Sequence, residues 1–151
     1  MRFARIAVPA ALFLAAGLLR GAIPPAASSA AIAPAQTSIY VGKVTLSVGG
    51  LGRKDGSYRS TYHARVVPFF FLNEAGDFQI DMPDADVDRL VAGQAVDFTG
   101  KAVRKDGIVR PLQGRATPRG AGGGAVKVRI YISRRIVLVF DSTYRLTGPA
   151  K

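Results

Sequence analysis

The chain contains no cysteine, no tryptophan and a single histidine, His63. Without cysteine it can form no disulfide, no thiolate nucleophile and no cysteine-ligated zinc or iron–sulfur centre. One imidazole argues against a histidine metal site, and no motif calls for a cofactor. Carboxylates are also scarce. Ten acidic residues face 21 Lys and Arg, a formal charge of +11 over 151 residues, which favours an anionic partner without fixing a fold. Long apolar runs are missing too, since none reaches the ~20 residues of a bilayer-crossing helix.

The longest apolar run, Ile6 to Leu19, follows Arg2 and Arg5, ends at Arg20 and leads into the small-residue stretch GAIPPAASSAAIAPA. A basic start, a short apolar segment and small residues together make an export signal. The Ala31-Ile32-Ala33 triplet suits processing, as do Ser28 and Ala30. A signal peptide over residues 1–33 and one domain over 34–151 are therefore expected, with a periplasmic or extracellular destination. An uncleaved N-terminal membrane anchor is the alternative. A lipoprotein anchor is excluded because no cysteine follows the run. Processing would remove only Arg2, Arg5 and Arg20, so the remaining domain is basic in its own right.

Beyond Gln36 the pattern has period two. Thr37–Val48, Tyr58–Val67, Phe78–Met82, Gln94–Val103, Ile108–Thr117, Val126–Ile132 and Ile136–Leu146 alternate apolar and polar residues or are rich in β-branched and aromatic ones, separated by Gly- and Asp-containing turns. One helix is predicted over Asp84–Ala92, opened by Pro83, with acids in its first turn and Gly93 after its end. Pro111 cannot donate to a ladder and predicts an edge strand. The apolar cluster VVPFFFL is expected in the core or on a covered edge. The fold class is all-β with one short helix. It is either a small barrel with an OB-like element order and an added C-terminal hairpin, or a seven- to eight-stranded β-sandwich.

Two heptapeptides, RKDGSYR (Arg53–Arg59) and RKDGIVR (Arg104–Arg110), frame the functional question. Asp-Gly between strands predicts a type I′ hairpin, because both central residues tolerate positive φ. It would pair Lys54 with Ser57 and Arg53 with Tyr58 in the first, Lys105 with Ile108 and Arg104 with Val109 in the second. Turn chemistry explains the Asp-Gly. The flanking cations Arg53, Lys54, Arg59, Arg104, Lys105 and Arg110 are candidates for gripping phosphate or carboxylate. Lys127, Arg129 and Tyr131 alternate away from Val126, Val128 and Ile130 and so share one sheet face, with Arg134 and Arg135 just beyond. Cations with an interleaved aromatic suit an anionic polymer or a membrane-surface component. Nucleic acid fits the charge but not the export signal, and a protein partner is the other class to consider.

No enzyme signature stands against this. His63 lies on a polar strand face without a neighbouring nucleophile. The stretch RGAGGGAVKV lacks the Gly-Lys-Ser/Thr ending of a phosphate loop, and DMPDADVD fails the EF-hand pattern at Arg89 and Ala95. The reading is a non-catalytic, exported binding module for an anionic envelope component: lipopolysaccharide, phospholipid head groups or acidic polysaccharide. A structural or accessory envelope protein that pairs with another chain is the alternative, and a small enzyme or lipid carrier a third class.

Overall fold

The computed structural model of the protein describes residues 27–148, so the basic start and apolar run of the expected export signal lie outside the described residues. The strands are β1 (Ser29–Ile32), β2 (Ala35–Ile39), β3 (Gly42–Val48), β4 (Leu51–Lys54), β5 (Ser57–Val67), β6 (Glu74–Asp81), β7 (Val96–Arg104), β8 (Val109–Pro118), β9 (Gly123–Tyr131) and β10 (Val137–Thr147). The helix α1 (Asp84–Val91) joins β6 to β7. It starts after Pro83, with Asp84 and Asp86 in its first turn, where the helix dipole favours negative charge.

β1 pairs with β4, β2 with β3, and both β3 and β4 with β5, so β1–β2 and β3–β4 act as two bent strands. From β5 each strand pairs with the next as far as β10, and β10 returns to β1. The result is a closed eight-stranded antiparallel barrel. One sheet wraps upon itself, so the barrel forms and the sandwich does not. Neighbours are sequential all the way round, a meander without the Greek-key crossover of an OB barrel.

Closure corrects two expectations. Pro111 is not on an edge, because β8 is paired on both sides; it sits on the outer wall opposite Lys101. The VVPFFFL run joins the core only in part: Val66 is buried in it and Phe69 packs against it. From Val67 the run leaves β5 and forms the connection to β6, with a 3₁₀ turn at Phe70–Leu72 in which all three side chains are exposed.

Inward-facing Tyr58, Tyr62, Phe78, Phe98, Leu112, Val128, Ile130 and Phe140 fill the barrel. The space among Phe78, Val128 and Phe140 is about 10 Å³, no more than one water would occupy. Gly114 belongs to the same packing: a Cβ there would lie 2.3 Å from the Phe98 ring. The wall alternates the other way, exposing Thr61, His63, Lys101, Gln113, Arg115, Lys127 and Arg129. An apolar interior with a charged exterior is the reverse of a membrane-spanning barrel.

Because successive strands run in opposite directions, their connections alternate between the two ends. One end, here the rim, carries the connections 40–41, 68–73, 105–108 and 132–136. The other, the helix end, carries 55–56, the α1 segment, 119–122, the start of β1 and the end of β10.

Candidate anion-binding surface

The two RKDG segments build different turns. Around Asp55 (φ 52°) and Gly56 (φ 77°) the chain makes the expected two-residue loop, with Lys54 opposite Ser57 and Arg53 opposite Tyr58. The second segment pairs Val103 with Val109 and Ala102 with Arg110, so its register departs from the predicted one. Gly107 donates to the Arg104 carbonyl at 2.8 Å and alone takes positive φ (91°), while the Ile108 N–H donates to Asp106 Oδ1. This is the longer loop of a turn followed by a left-handed glycine. The extra loop residue rotates the strand after it by one position. Arg110 then faces inward and Val109 outward.

The segments also lie at opposite ends of β6, since Ser57 pairs with Asp81 and Arg104 with Gly76. They cannot form one site. At the helix end Arg53 is turned inside, its side chain 5% exposed. It stacks on Tyr58 with 5.0 Å to the ring centroid and donates to the Met82 carbonyl and Asp84. Its Nε and Nη1 are buried without partners. Arg53 is thus a structural group, away from any surface that a ligand would meet. Lys54 is exposed beside it, and Arg59 projects from the outer wall.

The wall candidates share a face, as their alternation implied, but it is a mixed one. Lys127 lies 3.5 Å from Asp141, Arg115 donates to Asp97, and the Tyr131 hydroxyl donates to Gln113 Oε1 at 3.1 Å. Arg129 stands between these pairs.

The rim gathers the rest. Lys43, Arg65, Arg104, Lys105, Arg110, Arg134 and Arg135 lie on or beside its four connections, whereas its carboxylates are Glu74 and Asp106. Both carboxylates are engaged. Arg110 Nε and Nη2 grip Glu74 at 2.8 Å each, the Tyr62 hydroxyl donates to the same carboxylate at 2.6 Å, and Arg110 Nη1 reaches the Ile132 carbonyl at 3.3 Å. This half-buried network floors the barrel mouth. Burial disfavours the Glu74 anion, but the donors Arg110 and Tyr62 and the charges of Arg110 and Arg104 outweigh it and hold its pKa below the usual value. The Arg104 guanidinium, hydrogen-bonded to Asp106, brings that carboxyl down to about 2. The exposed Lys105, Arg134 and Arg135 have no such partner among the ion pairs of the described residues.

The helix end is nearly balanced: Asp55, Asp81, Asp84, Asp86 and Asp88 lie there with Arg53, Lys54, Arg89 and Arg119. The barrel is therefore electrically polar along its axis. Sequence reasoning found Lys105, Arg134 and Arg135 but missed Lys43 and Arg65, which local spacing does not connect with them. A meander's alternation of ends is the signal that would have done so. Among the described residues no cluster of three or more His, Asp and Glu side chains could hold a metal ion. No protein-family model, no curated protein and no solved structure matches this chain.

Proposed function

We propose that this protein is an exported, non-catalytic binding module whose rim end holds an anionic component of the cell envelope, such as lipopolysaccharide, phospholipid head groups or acidic polysaccharide. One observation carries the reading: cations from four connections converge on one end of the barrel, where both carboxylates are already engaged by arginine. Uncompensated charge at a single pole both attracts and orients a polyanion. The Arg and Lys side chains supply the charge-assisted hydrogen bonds that phosphate or carboxylate groups accept.

Heparin, a soluble polyanion, tests the reading. Replacing Lys105, Arg134 and Arg135 with alanine should weaken binding more than replacing Lys54, Arg119 and Arg145, which removes equal charge from the helix end and the adjoining wall. The rim variant should also flatten the salt dependence, by about 0.7–0.9 in the log–log slope for each lost anionic contact if the polymer behaves as nucleic acid does. Equal weakening in the two variants would show that net charge alone acts, and the rim would lose its role.

The second reading is an accessory protein that pairs with another chain. It is favoured by β2, which has a ladder partner, β3, on one side only. A stoichiometric partner whose binding is lost when Gln36 or Ser38 is replaced by proline would select it.

A further inference from the structure

The apolar residues that the fold leaves uncovered are as unevenly placed as the charges. Tyr40 (108% exposed) and Val41 cap the first rim connection, Phe70 and Phe71 (82% exposed) the second, Ile108 the third and Ile136 the fourth. The helix end shows only Val91 among the large exposed hydrophobics of the described residues. These exposed apolar side chains all lie on the connections of one end, the kind of uneven placement that marks an interaction site.

Each tip also carries a cation. Lys43 follows Tyr40 and Val41, Arg65 stacks over the Phe70 ring with 5.6 Å to its centroid, Lys105 precedes Ile108, and Arg135 precedes Ile136. The connections are tied to one another at their bases. A Cβ on Gly42 would touch the Val67 carbonyl, the Lys105 backbone N–H donates to the Ala75 carbonyl, and the Arg110 side chain bridges to the Ile132 carbonyl. The tips are thereby held as one crown around the mouth.

We infer that the rim docks on the surface of an anionic lipid bilayer, with Tyr40, Phe70, Phe71 and Ile136 entering the boundary between head groups and acyl chains while the neighbouring lysines and arginines meet the lipid phosphates. The inference rests on the rim as the anion-binding end and names its ligand. A soluble acidic polymer would explain the cations and leave the aromatic tips without a task. A bilayer surface uses both, because aromatic and aliphatic groups partition into the interface and basic groups are drawn to its negative potential. The helix end, with its charges nearly balanced, then points away from the membrane.

The absence of tryptophan supplies the test. In otherwise full-length protein, Phe71→Trp places a single fluorophore on the crown and Val91→Trp places one on the helix end. With vesicles of equal parts phosphatidylcholine and phosphatidylglycerol, the crown fluorophore should shift to shorter wavelength and be quenched by brominated acyl chains. The helix-end fluorophore should do neither, and phosphatidylcholine alone should act weakly. Tyr40→Asp with Phe71→Asp should lower vesicle affinity roughly tenfold or more while leaving heparin binding in place. The reporter is local, so any membrane contact made by residues 6–19 does not imitate the signal. An unquenched crown fluorophore, with heparin binding still lost in the Lys105, Arg134 and Arg135 variant, would overturn the lipid inference and keep the anion-binding rim. Heparin binding that is indifferent to that variant would overturn the rim itself, and the inference with it.

Discussion

Glu74 accepts hydrogen bonds from Arg110 and Tyr62 at the floor of the mouth, and its depressed pKa makes the barrel's stability depend on pH. A carboxylate with a folded pKa below its unfolded value stabilises fully above that unfolded value, here 4.5, and loses its contribution as pH falls through the folded one. Urea midpoints should therefore drop on acidification below about 4.5. Glu74→Gln should cost about 1–3 kcal/mol at neutral pH, because it leaves the half-buried Arg110 without its counter-charge, and should flatten the acid limb. An unchanged acid limb would mean that the network contributes little. The alkaline limb has the opposite sign. Burial raises the phenols of Tyr58, Tyr62 and Tyr144 above 10.0, reinforced at Tyr62 by Glu74, so their contribution is intact below 10 and declines as pH rises through the raised values.

At the scale of elements, the repeated RKDG shows that identical turn residues do not dictate identical turns. Asp55 occupies a positive-φ position, where glycine is at least as comfortable, whereas Asp106 uses its carboxylate to hold Ile108 N–H and Arg104. Asp55→Gly should leave the melting temperature nearly unchanged and Asp106→Gly should lower it; the same response from both would erase the distinction between the loops. Strand periodicity was legible in part: Arg59, Thr61, His63 and Arg65 do share the outer wall of β5, and α1 ends one residue short of its expected end. The expected strand Thr37–Val48, however, is a hairpin that turns at Tyr40–Val41 between β2 and β3, and β1 falls within the stretch read as an export signal. The sites were less legible because they depend on closure. Whether an arginine beside a turn faces water or the interior is decided by a one-residue register, which sends Arg53 under α1 and Arg110 onto Glu74. The phenylalanine run misled for a related reason. Composition marks it as apolar, but the barrel was already full without it, and the connection lies on the rim.

The whole molecule has one seam that its N-terminal boundary must respect. Ser29–Ile32 pairs with Tyr144–Thr147 on one side and with β4 on the other, the Tyr58 hydroxyl donates to the Ala27 carbonyl at 2.7 Å, and Ala27 and Ala30 are buried. Processing at Ala33 would delete the strand that closes the barrel. Any folded, processed form of the chain should therefore begin no later than Ala27, and intact-mass measurement of the purified protein checks this; a homogeneous, folded chain beginning at Pro34 would refute it. The seam also sets the order of folding. Hairpins β3 to β9 join near neighbours and β1 can pair with β4 as the chain emerges, but the barrel cannot close until β10 reaches β1. Until then β1 has β4 on one side and nothing on the other, so one of its edges stays open. A barrel completed by β10 keeps a gap beside β1, with unpaired backbone groups on both sides of it, until that strand is in place.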